Sequence, residues 1–247
     1  MVFGGHRGMG ENLLAATQRG RPLMRYRENT IRSFNTAAAA GASFVEFDVQ
    51  VTGDGIPVIW HDDSRVFNSA EGKRMSHAMR WAVSEDDELP TLAEVFQGVE
   101  PSVGFDIEVK MATPPDVPVT PAHEVDRMVD AILDQVQAVA THSSRPIVFS
   151  SFDPEICRQI ALPWLPPSEQ PSCALPIHYK IQQQPAIAAA RSKGLKVLTY
   201  GLQNNEPDWV RYQYTLGIQG AIVDDVAGII SAFGRASSLQ APALEEE

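Results

Sequence analysis

Apolar and polar residues alternate with two different periods along this chain. Period-two alternation, or a short unbroken apolar run, predicts strands at MVFGG (1–5), FVEFDVQV (44–51), GFDIEVK (104–110), PIVFSSF (146–152), LKVLTYG (195–201) and GAIVDD (220–225). Helical spacing falls between them. TIRSFNTAAAAGA (30–42) places Ile31 and Phe34 on one stripe and stops at Gly41; TLAEVFQGV (91–99) and HEVDRMVDAILDQVQAVA (123–140) are two more helices. GDG (53–55) is a turn signal, and PVIWHDD (57–63) returns from it as an antiparallel strand. Strands alternating with helices predict a parallel sheet of the α/β class.

Several stretches do not fit this rhythm. Residues 64–90 are polar and irregular, MATPPDVPVTP (111–121) is a proline-rich loop, and 236–247 reads as a frayed tail. Residues 153–172 hold five prolines and break up what would be a βα unit, so that LPWLPPSEQPSCALP (162–176) reads as neither strand nor helix. CALPIHY (173–179) is a weak seventh parallel strand. A closed eight-stranded barrel is therefore one strand short. No fixed repeat appears, and the expectation is one barrel domain over 1–235 with a small hairpin insertion at 50–90.

FVEFDVQV poses the chemical question. Residues two apart on a strand share a face, about 6.6–6.8 Å apart along the chain, so Glu46 and Asp48 point together while Val45, Phe47 and Val49 point the other way. On a surface sheet the two acids would simply be solvated. In a parallel barrel both faces are enclosed, and two enclosed like charges call for a neutralising cation. FDIEVK repeats the pattern, with Asp106, Glu108 and Lys110 alternating with Phe105, Ile107 and Val109. Carboxylates without Cys or His on the same strands favour Mg²⁺ or Ca²⁺ over zinc. Lys110 suits either an anionic ligand or a salt bridge at the strand end. His6, with Arg7 beside it, closes the first strand, where barrel enzymes place catalytic groups. The turn near Asp54 returns His61 beside Asp48, and two imidazoles at one strand end suit an acid and a base.

Weaker signals have plainer readings. Gly8-Met9-Gly10 makes a tight turn more readily than a phosphate cradle, and Asn29 or Thr30 is a helix cap. His77, His123, His142 and His178 have no supporting context, and Ser150-Ser151 lacks a nucleophile-elbow setting.

Composition narrows the classes. A net charge of −11 argues against nucleic acid or an anionic membrane as partner, and an anionic substrate then needs a local cation. Cys157 and Cys173 lack the spacing of a zinc site or a disulfide framework and read as free thiols in a reducing compartment. No apolar run is long enough to span a membrane, and no signal peptide is visible. The expected setting is intracellular and soluble, in the cytoplasm or in an organelle such as the plastid.

The blocks GHRG (5–8), RENTIRSF (27–34), FVEFDVQVTGDGIPVIWHDD (44–63) and FDIEVK (105–110) together resemble the glycerophosphodiester phosphodiesterase family, its plant-type and related eukaryotic members most. VFSSFDPE (148–155), LTYGLQNN (198–205) and GIQGAIVDD (217–225) resemble the family's later strands, so the likeness spans about 4–230 apart from 156–175. The resemblance implies a TIM-type (β/α)8 barrel, a divalent metal (Mg²⁺ or Ca²⁺), and hydrolysis of a small glycerophosphodiester, such as glycerophosphocholine or glycerophosphoethanolamine, to sn-glycerol 3-phosphate and an alcohol. It implies Glu46, Asp48 and Glu108 as metal ligands and His6 and His61 as the acid/base pair. Arg7, Glu28, Asn29 and Lys110 are implied as substrate and phosphate contacts. A cyclic phosphate formed by the neighbouring glycerol hydroxyl and then opened by water is the pathway the family suggests. The chain departs from the family between the SSF and LTYG strands, where a βα unit is lost or scrambled. That departure keeps open a silent remnant that only binds a ligand, and a relative acting on lysophospholipids is a third reading.

Overall fold

The computed structural model describes residues 1–11, 26–61, 90–111, 120–140, 145–160, 172–174, 177–178, 187–188, 192 and 196–233. The polar stretch after His61, His77, His142 and the expected tail lie outside them. In chain order the elements are β1 (Val2–Gly5), α1 (Ile31–Ala40), β2 (Phe44–Val51), β3 (Pro57–Ile59), α2 (Leu92–Gly98), β4 (Gly104–Val109), α3 (Ala122–Ala140), β5 (Ile147–Ser150) and α4 (Pro154–Ile160). There follow β6 (Ser172–Ala174), β7 (Ile177–His178), β8 (Leu198–Tyr200), a 3-10 turn (Leu202–Asn205), α5 (Pro207–Thr215), β9 (Gly220–Val223) and α6 (Val226–Phe233).

Local chemistry sets the helix ends. Thr30 caps α1 by accepting from the Ser33 N–H at 3.1 Å, and Gly41 ends it with a left-handed φ of 105° that a side chain would disfavour. α2 opens with a capping box, Thr91 and Glu94 satisfying each other's backbone N–H. α4 corrects the reading of 153–172 as broken throughout. Proline at the first helical position gives up no hydrogen bond, and Asp153 accepts from the Glu155 N–H at 2.8 Å just before it.

The strands form one sheet in the order β6-β5-β4-β2-β1-β9-β8-β7, parallel throughout, with β3 attached antiparallel to β2. β6 pairs with β5 and β7 with β8, yet only two residues separate β6 from β7. The CALPIHY segment, expected as one weak strand, thus contributes two short pieces, and a single stretch of chain meets both edges of the sheet. Counted as one position, it leaves the sheet one parallel strand short of the eight in a TIM-type barrel. The fold is an α/β barrel of that type lacking one unit.

β2 shows how the barrel sorts its residues. Val45, Phe47 and Val49 have no exposed surface; Phe47 meets Phe34 of α1 at 5.3 Å and Phe105 of β4 at 5.1 Å between ring centroids. The opposite face carries the acids. Parallel pairing puts Glu46 level with Asp106, and Asp48 level with Glu108. Among the described residues no helix is long and apolar enough to cross a membrane.

Phe47→Ala leaves a cavity between β2, β4 and α1. It is expected to lower the unfolding free energy by about 3–5 kcal/mol, measured by urea denaturation.

Candidate active site

The site gathers at the carboxyl ends of β1, β2, β4 and β9. One carboxylate oxygen each of Glu46, Asp48 and Glu108 lies within 4.8 Å of the others, and all three residues are buried. Their inward aim follows from strand pairing, and their proximity follows from the level register of β2 and β4. An all-oxygen, anionic donor set of this size fits a hard divalent cation such as Mg²⁺ or Ca²⁺.

Two residues flank the cluster in the left-handed region, Arg7 with φ 47° and Asn29 with φ 56°. Non-glycine residues are uncommon there and collect at functional sites. The conformation is put to use. Arg7 donates its backbone N–H to Glu46 Oε2 at 2.9 Å, and Asn29 donates its backbone N–H to the Arg7 carbonyl at 3.0 Å. The Asn29 side chain donates to Asp48 Oδ2 at 2.9 Å. The Arg7 guanidinium lies 3.3 Å from Asp48 and 3.3 Å from Glu28. Gly8 belongs to the turn that presents this pair: a Cβ on it would come within 2.3 Å of Ser33 Oγ, so close packing explains the glycine.

Lys110 reaches both strands' acids, its Nζ standing 2.9 Å from Glu108 and 3.4 Å from Asp48. His6 Nδ1 pairs with Asp224 Oδ1 at 2.7 Å. Asp224 in turn accepts from the Asn205 amide at 2.8 Å and the Glu11 N–H at 3.2 Å. Asp224 and Asn205 were not singled out in the sequence; the signal was an aspartate closing a predicted strand in IVDD. His61 follows β3. The Trp60 N–H donates to the Asp48 carbonyl at 2.9 Å, so Trp60 stands beside Asp48 and His61 lies one residue further on. The expected neighbour shifts by one because Val49 pairs with Ile59.

A cavity of about 180 Å³ opens over the cluster. His6, Arg7, Glu46, His61, Asp106, Glu108 and Lys110 line it. Ser150, Phe152, Leu198, Thr199, Tyr200 and Ile222 complete the lining. Asp48, Glu28 and Asn29 are not on its wall; they stand behind it, holding Arg7, Lys110 and one another. His123 is exposed, in the first turn of α3, and does not line the cavity. Ser150 donates to Asp106 at 2.8 Å and Ser151 to the Val109 carbonyl at 2.8 Å, so both hydroxyls are engaged.

The charges divide unevenly. Burial and the Asp48 charge push the Glu46 carboxyl well above its usual range, against the pull of His6. Burial would also raise Asp48, but Lys110, Arg7 and the Asn29 hydrogen bond outweigh it and hold Asp48 low. Glu108 is raised by burial and Asp48, and Asp106 is raised by burial to about 7 despite its bond from Ser150. Burial pulls the His6 imidazole down, yet the Asp224 hydrogen bond and the Glu46 charge lift it to about 9.

The chain matches the model of the glycerophosphoryl diester phosphodiesterase family over residues 6–163. The chain belongs to that family. The glycerophosphodiester phosphodiesterases GDPD2 and GDPD3 of Arabidopsis thaliana are 29% and 30% identical to it, each match covering 94% of this chain and 77% of the relative. The GDPD2 alignment runs over 299 positions, more than this whole chain supplies, so the family member from Arabidopsis carries several tens of residues that this one lacks. A phosphodiesterase of Oleispira antarctica, solved in complex with the product sn-glycerol-3-phosphate, shares the fold with a TM-score of 0.67 at 20% identity, covering 94% of this chain and 96% of that one.

The shifts fix how stability responds to pH in a chelator. Asp106 binds its proton more tightly folded than unfolded, so its contribution declines as pH rises from 3.8 towards about 7. That of His6 is complete below 6.5 and is lost towards about 9. The melting temperature in EDTA is therefore expected to fall as pH rises across these windows, and Asp106→Asn to flatten the lower one, read by differential scanning calorimetry.

Proposed function

We propose that the chain hydrolyses glycerophosphodiesters to sn-glycerol 3-phosphate and an alcohol. The observation that carries this reading is the convergence of two histidines, a lysine, an arginine and three buried carboxylates on one cavity at the strand ends. Glu46, Asp48 and Glu108 would hold Mg²⁺ or Ca²⁺, which when bound supplies positive charge to a phosphoryl oxygen. The family and the Oleispira product complex support the substrate class.

In this reading His6 is the acid. Its Nδ1 is committed to Asp224, which leaves Nε2 for the substrate, and its raised affinity for the proton keeps it charged near neutrality, ready to protonate the departing alkoxide. His61, on the wall of the same cavity, takes the proton from the attacking hydroxyl. Lys110 and Arg7 supply fixed positive charge where negative charge builds on the phosphorus oxygens. Glu28 and Asn29 act behind the wall: Glu28 orients Arg7, and Asn29 fixes the carboxylate of Asp48.

Incubation with glycerophosphocholine and Mg²⁺ or Ca²⁺ is expected to release glycerol 3-phosphate, and EDTA to stop it. His6→Ala and His61→Ala should each lower kcat by about 10²–10⁴-fold. No release with either metal would replace the hydrolase by a family member that binds without turning over.

A further inference from the structure

The 3-10 turn after β8 ends in two adjacent asparagines, both buried, and they serve different partners. Asn204 fastens the turn to the strands. Its amide donates to the Thr199 carbonyl of β8 at 2.9 Å and to the Ile222 carbonyl of β9 at 3.0 Å. Its oxygen accepts from Gln213 of α5 at 2.8 Å, and Gln213 accepts from the Thr199 hydroxyl at 2.6 Å. No charged side chain enters this group, so its bonds fix geometry without moving charge.

Asn205 is thereby held against the end of β9. Its Oδ1 accepts from the backbone N–H groups of Asp224 and Asp225, each at 2.8 Å, and its Nδ2 donates to Asp224 Oδ2 at 2.8 Å. The other oxygen of Asp224 faces His6 Nδ1 at 2.7 Å. A carboxylate bonded through both oxygens presents a fixed lone pair to the imidazole, whereas one bonded through a single oxygen can turn. The Asn205 amide is also neutral. A lysine or arginine in its place would fix the carboxylate but cancel the charge that favours the His6 imidazolium. Burial would raise the Asp224 carboxyl, yet the bond and charge of His6 and the Asn205 bond hold it low. Neither Asn205 nor Asp224 lines the cavity.

We propose that Asn205 is a positioning residue for the hydrolysis: by fixing both oxygens of Asp224 it aims the His6 imidazole, so that Nε2 meets the departing alkoxide. This rests on the hydrolase reading for its chemistry but not for its geometry. Asn205 touches no substrate, and its effect reaches the reaction only through Asp224 and His6. Its loss therefore falls on the step that gives a proton to the leaving group, not on binding of the diester.

Two variants of the full chain test this. Asn205→Ala removes all three bonds. Asn205→Asp keeps the acceptor for the two backbone N–H groups and removes only the N–H that Asp224 receives, so it reports even where Asn205→Ala does not fold. With Mg²⁺ or Ca²⁺ present, each is expected to lower kcat for glycerophosphocholine by about ten- to a hundredfold, with KM little changed. For the p-nitrophenyl ester of glycerol 3-phosphate, whose nitrophenolate departs without a proton, the fall in kcat should be several-fold smaller. In the metal-free chain, nuclear magnetic resonance of ¹⁵N-labelled histidine reads the His6 Nδ1 proton directly, and its downfield resonance should shift or vanish in both variants. Equal losses on the two esters, or a His6 resonance unchanged in both variants, overturns the proposal. A native chain that turns over neither ester overturns the hydrolase reading, and the resonance still decides this one.

Discussion

Carboxylates buried side by side repel one another, and much of this site exists to hold them together. β2 and β4 run parallel with Glu46 level with Asp106 and Asp48 level with Glu108, so four acids share one inward face. The strands cannot turn that face outward, because Val45, Phe47, Val49 and their counterparts Phe105, Ile107 and Val109 are buried beneath the helices. Hydrophobic burial on one face thus enforces electrostatic strain on the other. Arg7, Lys110 and the Asn29 amide relieve it mainly at Asp48. Glu46, fully buried and raised, retains the unrelieved part. The protein's own cations leave the cluster electrostatically unfinished, which is what a divalent ion would complete.

The same geometry explains how the site survives a shortened barrel. Its acids and bases come from β1, β2, β4 and β9 and from the hairpin on β2. β9 pairs with β1, β1 with β2 and β2 with β4, so the chemistry occupies one contiguous arc. The stretch that carries β6 and β7 meets β5 and β8 instead. Asp224 of the β9 end clasps His6 of the β1 end, and Asn205 locks Asp224 through both its side chain and its backbone. That network ties the carboxyl end of β9 to that of β1.

Much of this was legible because a strand's side-chain period is two. The alternation in FVEFDVQV and FDIEVK was enough to put Glu46, Asp48, Asp106 and Glu108 on inward faces. The cap at Thr30 and the stop at Gly41 are local signals, and α1 follows them. What depended on register or distance was harder to read. His61 lies one residue from its expected level because that level depends on which residues pair across the hairpin. Asp224 is 218 residues from His6, and no local pattern announces such a partner. α4 was hidden by prolines that forbid a helix interior but suit its first turn. β6 and β7 are too short to carry a periodic signal.

The central claim is that Glu46 and Glu108, whose hold on a proton is raised by burial and by the Asp48 charge, exchange that proton for a cation. Titration of Ca²⁺ into the metal-free chain near neutral pH, repeated in buffers of different ionisation enthalpy, measures this directly. The account predicts one ion per chain and a heat that changes with the buffer, because Glu46 and Glu108 release protons as the ion enters. Glu46→Gln should weaken binding and reduce the proton release. Binding without buffer dependence, or no binding at all, would contradict it.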